Sequence, residues 1–336
     1  MEELGIQTKK ISKRKIKVKK YVFGVYILTV LISLALGAYL YVNSKNILIS
    51  ILATAIVSIP VSEIIIQLVN YVLAKVIKPK LIPKMDFGKV LPKEYSTFVV
   101  IPTIVNSKEK VRELIKKLEV YYLANKSENL YFALLGDCTT SKNEVEREDN
   151  EIIKTGLEEV EKLNKKYNEN LNELPKFHFL YRKRTWNAKE ECYLGWERKR
   201  GLLCQFNEFL VDCNNKFCVN TINDYYAKLN ANTVGEIAHI DPRKTNVNKN
   251  WTQQIKYVIT LDSDTNLILG SALELIGAMA HILNKPILNK TNDCVIEGHG
   301  ILQPRVGINL EASRRSIFTK IYTPLRRNRF IYKCNF

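Results

Sequence analysis

Two long apolar stretches near the N-terminus dominate the pattern of hydrophobic and polar positions. They cover residues 21–42 and 47–77, and only the four residues 43–46 separate them. Each stretch reaches the roughly 20 residues that an α-helix needs to cross a bilayer. Because the link is so short, both outer ends lie on one side of the membrane. The sequence therefore predicts a transmembrane helical hairpin over residues 21–77.

Basic residues on both sides of this hairpin predict its orientation. Residues 9–20 read KKISKRKIKVKK, and more lysines lie at the end of the second stretch and after it. These are Lys75, Lys78, Lys80 and Lys84. Lysine and arginine next to membrane helices favour the cytoplasmic side. Residues 1–20 are therefore predicted to form a basic cytoplasmic tail, with the rest of the chain also facing the cytoplasm.

Strands alternate with helices after a proline-containing linker at residues 78–94. Residues 96–105, STFVVIPTIV, form a continuous apolar run of the kind that buried parallel strands show. Further strands are predicted at 130–136, 177–181 and 257–261, and helices at 109–123, 148–167 and 201–210. This alternation predicts an α/β domain over residues 95–322, with a mainly parallel sheet flanked by helices.

Polar residues follow several of these strands. In parallel sheets, ligands bind at the carboxyl ends of the strands. We therefore expect Pro102, Thr103, Asp137 and Asp262 to converge at one edge of the sheet.

The formal net charge of +17 suggests anionic partners. Much of the excess lies in residues 9–20, directly before an apolar run, where it indicates membrane lipid rather than nucleic acid. The seven cysteines are irregularly spaced and odd in number. They predict reduced thiols rather than a disulfide framework.

The sharpest chemical feature is YVITLDSDT at residues 257–265, where an apolar strand delivers Asp262 and Asp264 to its exposed end. Two carboxylates so placed suit Mg²⁺ or Mn²⁺, which prefer oxygen ligands and keep open positions for water and phosphate. Such a metal stabilises charge on a departing nucleotide diphosphate. The alternative is a solvated turn that caps a helix, because Asp, Ser and Thr are also good capping residues.

Three other clusters carry candidate binding residues. Asp137 ends its strand where a carboxylate can accept a hydrogen bond from a uracil N–H, or can cap the next helix. The cluster from Arg182 to Arg184, with Trp186, and the segment WERKRG at residues 196–201 offer cations for phosphate and aromatic faces for sugar. Surface charge is the competing explanation. EGHGILQPRV, at residues 297–306, is a candidate acceptor site. Its binding candidates are Glu297, Gln303 and Arg305.

Eight segments, spread over residues 97–316, resemble those of one known family in sequence and order. They are FVVIPTIV, LEVYYLAN, LYFALLGD, RKRTWN, GWERKRG, YVITLDSDT, AMAHILNKP and VIEGHGILQPRV. The family is that of the cyclic β-1,2-glucan synthases, in their N-terminal membrane-embedded glycosyltransferase region. The resemblance implies a GT-A-like fold, a bacterial inner-membrane location, UDP-glucose as donor and a growing glucan chain as acceptor, with inversion at the anomeric carbon.

The same resemblance implies roles for individual residues. Asp262 and Asp264 would hold the divalent metal, Asp137 would contact the nucleotide, and Lys199 and Arg200 would contact the diphosphate or nucleotide. Leu202 departs from the family, which usually has lysine there.

The end of the chain departs further from the family. The catalytic-base carboxylate and the (Q/R)xxRW acceptor motif, expected downstream of residue 306, are not found in the sequence. We interpret residues 323–336 as an atypical, frameshifted tail. The sequence therefore predicts a truncated region with little activity alone. The alternatives are a non-catalytic membrane protein that binds nucleotide or pairs with a separately encoded C-terminal half, and a related processive synthase making another polymer.

Overall fold

A computed structural model describes most of the chain between residues 18 and 319. The described residues are 18–76, 82–88, 90–167, 174–212, 215–225, 255–289, 291, 294–304, 307, 314–317 and 319. Most of the predicted basic tail, the predicted atypical tail at 323–336 and Arg305 lie outside them. The chain divides into two compact units, Met1–Lys80 and Leu81–Phe336.

The first unit is a pair of apolar helices. Helix α1 spans Val18–Ser44 and helix α2 spans Ile47–Val76. Both are long and apolar enough to cross a membrane by length and composition. A Cβ atom on Gly37 would lie 2.5 Å from Thr54 Oγ1, so glycine lets the two helices approach closely. The predicted pair of apolar helices is confirmed, whereas the side of the membrane on which its ends lie stays a prediction.

The second unit is built around a five-stranded sheet. Its strands are β1 (Thr97–Ile104), β2 (Leu130–Asp137), β3 (Phe177–Arg182), β6 (Phe217–Asn220) and β7 (Tyr257–Thr260). Their order across the sheet is β6-β3-β2-β1-β7. All neighbouring pairs are parallel except β3 and β6, which are antiparallel.

Helices and two small hairpins complete this unit. The helices are α3 (Lys108–Ala124), α4 (Arg147–Tyr167), α5 (Arg198–Asp212) and α6 (Ser271–Ala280). The hairpins pair β4 (Thr185–Asn187) with β5 (Cys192–Leu194) and β8 (Ile287–Leu288) with β9 (Val295–Glu297). The mostly parallel sheet flanked by helices confirms the predicted fold class and is consistent with a GT-A-like fold. The antiparallel edge strand β6 was not predicted.

Hydrophobic residues cover both faces of the sheet. Successive side chains of a strand point to opposite faces. In β1, Val99 packs with the cluster that contains α3 and α4, whereas Phe98 packs with the cluster that contains α5. Burial on both faces explains why β1 and β2 read as continuous apolar runs. On α4, a Cβ atom on Gly156 would lie 2.4 Å from the Phe179 ring, so glycine permits this helix to pack on β3.

A buried histidine makes the stability of this unit depend on pH. His178 lies in β3 with Nε2 2.8 Å from the Pro175 carbonyl oxygen, and burial lowers its pKa from 6.5 to about 3. Between these values the unfolded chain binds a proton that the folded chain does not. Stability therefore falls as the pH drops below 6.5, by up to about 1.4 kcal/mol per pH unit for this group.

We therefore expect His178→Phe to reduce the acid sensitivity of folding. The test compares the unfolding midpoints of the full chain in detergent at about pH 7.5 and about pH 5.5. The difference between these midpoints should be smaller in the variant than in the wild type. His281→Asn, which keeps a side-chain acceptor near the Leu283 N–H, is the control. Equal acid sensitivity in wild type and His178→Phe would contradict the assignment.

Candidate functional site

A cavity of about 440 Å³ opens at the carboxyl edge of the sheet. It is formed by the ends of β1 and β2, the first turn of α5 and the loop after β7. The lining residues are Pro102, Thr103, Ile104, Asp137, Arg198, Lys199, Leu202, Asp262, Ser263 and Asp264. The four residues expected to converge, Pro102, Thr103, Asp137 and Asp262, come from three separate segments of the sequence and meet at one cavity. Arg198 lies in the predicted segment WERKRG at residues 196–201, next to Lys199, although it was not singled out as a binding residue.

The loop after β7 presents two carboxylates. Asp262 and Asp264 are both exposed, and the Asp262 side chain keeps 63% of its surface accessible. The Thr265 N–H donates to the Asp262 carbonyl oxygen at 3.0 Å, which closes a turn around Ser263. This turn places the side chains of a DxD pattern at the cavity while its backbone is held by hydrogen bonds.

Two side chains of helix α3 hold this carboxylate loop by its backbone carbonyl groups. Lys117 Nζ donates to the Ser263 carbonyl oxygen at 2.7 Å, and the Tyr121 hydroxyl donates to the Thr265 carbonyl oxygen. Burial lowers the pKa of Lys117, an effect that the nearby Asp264 carboxylate opposes. Burial also raises the pKa of Tyr121, which keeps its hydroxyl protonated as a donor. Sequence reasoning missed both residues, although Tyr121 lies within the LEVYYLAN segment.

The first turn of α5 brings two cations to the cavity. Lys199 Nζ forms an ion pair with Asp262 Oδ1. Arg198 Nη1 donates to the Cys138 carbonyl oxygen at 3.2 Å, and its Nη2 donates to Thr140 Oγ1. The cavity lining thus contains both cationic and anionic side chains, and Lys199 and Asp262 are in contact. This arrangement suits a ligand that carries both a metal ion and phosphate groups.

Asp137 lies at the cavity but is almost entirely buried. Arg182 donates to both oxygens of its carboxylate, from Nε at 2.6 Å and from Nη2 at 2.8 Å. Arg198 Nη1 lies 4.0 Å from Asp137 Oδ2. Two guanidinium groups therefore offset the negative charge of Asp137.

Other predicted binding residues lie outside the cavity lining. Arg200 is 76% exposed and pairs with Glu197. Arg184 is buried, and its guanidinium donates to Asp149 Oδ2 and, at 2.7 Å, to the Thr139 carbonyl oxygen. The structure thus gives Arg184 protein partners, and its predicted contact with phosphate stays a prediction.

Trp186 is also outside the cavity lining. It is 54% exposed on β4 and packs edge-on against Tyr193, with ring centroids 5.0 Å apart. An exposed indole supported in this way remains able to contact a sugar ring, so its predicted role stays a prediction.

The candidate acceptor segment has its own local structure. Glu297 ends β9, and both Glu297 and Gln303 are exposed and do not line the cavity. The His299 N–H donates to the Asn284 carbonyl oxygen at 2.9 Å. Gly298 has a φ of +75°, and a Cβ atom there would lie 2.0 Å from the Lys285 carbonyl oxygen, so this turn requires glycine.

The carboxylate loop fits a divalent cation whose coordination is completed by a ligand. Within the described part of the chain, no group of three His, Cys, Asp or Glu residues could hold a metal ion by itself. Mg²⁺ is commonly bound by one or two carboxylates together with water and substrate phosphates. Asp262 and Asp264 supply hard oxygen donors of this kind, and both are accessible from the cavity.

The fold and site define an α/β protein with a mostly parallel sheet and two apolar N-terminal helices. Its polar cavity is lined by both acidic and basic side chains. No family model matches the chain. Over 268 residues the chain is 32% identical to the cyclic β-(1,2)-glucan synthase NdvB of Rhizobium meliloti (strain 1021). The chain is thus homologous to one region of a cyclic β-(1,2)-glucan synthase, which confirms the resemblance seen in the sequence.

The match covers 79% of this chain but 8% of the much longer relative. Homology supports a glycosyltransferase-like role, and together with the two apolar helices it indicates a membrane protein.

Proposed function

We propose that this chain is the UDP-glucose-dependent, inverting glycosyltransferase region of a cyclic β-1,2-glucan synthase. The observation that carries the proposal is that the Asp262 and Asp264 carboxylates and the Arg198 and Lys199 cations line the same cavity. A nucleoside diphosphate bound with a divalent cation has the complementary distribution of charge. Homology to a glucan synthase supports glucose and a glucan as the transferred group and acceptor.

Each residue of the cavity has a proposed task. Asp262 and Asp264 would hold Mg²⁺ or Mn²⁺, which when bound neutralises charge that develops on the leaving diphosphate. Arg198 and Lys199 bind the phosphate oxygens, Arg198 through a planar fork and Lys199 as a point charge. Asp137 accepts a hydrogen bond from the uracil N–H.

The ends of the first two strands complete the donor site. Pro102 and Thr103, at the carboxyl end of β1, form the adjoining wall. In an inverting reaction, an acceptor hydroxyl of the growing glucan attacks the anomeric carbon from the face opposite the diphosphate. The protein groups on the donor side therefore bind and orient UDP-glucose and stabilise its leaving group.

The proposed setting is the bacterial inner membrane. The two apolar helices would contact lipid, and the basic residues that flank them support a cytoplasmic location for the rest of the chain. A non-catalytic chain that binds nucleotide, or that works with a separately encoded half, shares this donor site. Such a chain differs from the proposed enzyme because it does not transfer glucose by itself.

The test measures binding and transfer separately on the full chain in detergent. UDP is titrated calorimetrically with Mn²⁺ and with EDTA, and we expect binding to be at least about tenfold tighter with Mn²⁺, equivalent to about 1.4 kcal/mol. Absence of UDP binding would contradict the proposed function. Incubation with labelled UDP-glucose then shows whether the chain alone makes glucan, for which we expect little or no product. The linkage of any product separates a β-1,2-glucan synthase from another processive synthase.

A further inference from the structure

Arg182 is the largest side chain that the described part of the structure buries fully. It ends β3, and 1% of its surface is exposed. Arginine is almost never fully buried unless it is paired. The buried charge of Arg182 therefore needs partners in the protein. From the sequence, Arg182 belonged to a cluster of cations predicted to contact phosphate.

The Arg182 guanidinium joins two parts of the donor cavity. Its Nε and Nη2 atoms bind the Asp137 carboxylate at the end of β2, at 2.6 and 2.8 Å. Its Nη1 atom donates to the Trp196 carbonyl oxygen, and Nη2 also donates to the Arg198 carbonyl oxygen, each at 2.8 Å. One planar group thus connects Asp137 with the turn that begins α5.

This turn has a conformation that needs support from its surroundings. Glu197 and Arg198 have φ values of +51° and +48°, in the left-handed region that non-glycine residues seldom adopt. Such residues persist where neighbouring structure holds them. The two carbonyl groups that Arg182 binds, those of Trp196 and Arg198, bracket this strained pair.

Gly195 leaves the space that this arrangement requires. A Cβ atom at this position would lie 2.1 Å from Asp137 Oδ1 and 2.3 Å from Arg182 Nη2. Any larger residue would therefore displace the carboxylate or the guanidinium. The backbone at 195–198 and the Arg182 side chain fit together as one unit.

We propose that Arg182 is a positioning residue that sets the spacing between the two halves of the donor site. It holds Asp137 at the nucleoside end and the Arg198–Lys199 turn at the diphosphate end. Arg182 touches neither substrate nor metal in this role. The inference rests on the proposed function, because it assumes that the cavity takes a nucleoside diphosphate.

This role has a consequence that a purely structural role lacks. Loss of folding lowers the fraction of competent protein equally for every ligand. Displacement of the Arg198–Lys199 turn instead weakens contacts to the second phosphate more than contacts to the nucleoside. The ratio of UDP affinity to UMP affinity therefore reports positioning, whereas the binding stoichiometry reports the competent fraction.

The test uses Arg182→Lys in the full chain, with UDP and UMP titrated at one Mn²⁺ concentration. A lysine keeps the charge near Asp137, but its compact ammonium cannot span a carboxylate and two carbonyl groups as a guanidinium does. We expect the UDP-to-UMP affinity ratio to fall by about tenfold, or about 1.4 kcal/mol. Gly156→Ala, which strains the packing of α4 on Phe179 remote from the cavity lining, should leave the ratio unchanged.

A second variant keeps the test decisive if Arg182→Lys does not fold. Gly195→Ala presses on the same guanidinium from the turn side and should lower the same ratio. The positioning role would be overturned if Arg182→Lys had the wild-type UDP-to-UMP affinity ratio. If only Gly195→Ala folds, a wild-type ratio in that variant would overturn it. Either result would leave the proposed function standing. Wild-type protein that binds no UDP would overturn both.

Discussion

Replacing Asp262 and Asp264 together by alanine is expected to abolish metal-dependent UDP binding by the full chain. The two side chains are the carboxylates that the loop after β7 presents to the cavity. Loss of even an outer-shell partner of a bound metal typically costs 10–100-fold in affinity, so loss of two direct ligands should weaken Mn²⁺-dependent UDP binding by more than about 100-fold. Calorimetric titration with Mn²⁺ and with EDTA measures this loss.

The matched control removes two exposed carboxylates elsewhere in the same unit. Glu144 and Glu158 are both exposed and outside the cavity lining, so Glu144→Ala with Glu158→Ala changes the net charge equally. This control should bind UDP as the wild type does. If the Asp262→Ala, Asp264→Ala protein kept its Mn²⁺ dependence, the metal would have to bind elsewhere and the proposed donor site would fail.

The second large effect concerns a buried ion pair. Asp149→Ala removes the carboxylate that accepts a hydrogen bond from Arg184 Nη1 and, at 3.1 Å, from the Tyr181 hydroxyl. Removing one partner of a buried pair leaves an uncompensated charge, at a typical cost of about 3–5 kcal/mol. We therefore expect Asp149→Ala to lower the free energy of unfolding of the α/β unit by about this amount.

Urea unfolding followed by tryptophan fluorescence measures this change, because Trp186 and Trp196 both lie in the α/β unit. Arg112→Ala, which removes a more exposed partner of Glu159, should cost less than about 1 kcal/mol. A similar small loss for Asp149→Ala would show that the Arg184 charge is compensated in another way.

The Asp149 pair also gives stability a defined dependence on acid. Burial by itself would raise the pKa of Asp149, but the hydrogen bonds from Arg184, the Glu146 N–H and Tyr181 hold it below its ordinary value. The contribution of the ionised Asp149 carboxylate to folding stability is therefore fully present above the pKa of this carboxyl in the unfolded chain. It is lost as the pH falls through the lower pKa of the folded chain. His178 adds a loss that begins at higher pH, below 6.5.

The basic cluster after β3 shows why sequence reasoning succeeded in part. The pattern placed cations at the ligand-bearing edge of the sheet, and the structure has them there. Alternation along the chain buries Arg182 and Arg184 and leaves Lys183 exposed. The partners that decide their roles, Asp137 and Asp149, lie 45 and 35 residues away in the sequence. No local pattern reports which distant carboxylate a guanidinium reaches.

The sequence by itself determined the apolar helices, the alternation of strands and helices, and the delivery of Asp262 and Asp264 to the end of a strand. These features follow from periodicity and composition over a few neighbouring residues. Only the tertiary structure decided that Lys117 and Tyr121 hold the carboxylate loop and that Arg182 joins Asp137 to the first turn of α5. Such contacts depend on the order of strands in the sheet and on which side chains burial forces together, and they exist only after the chain has folded.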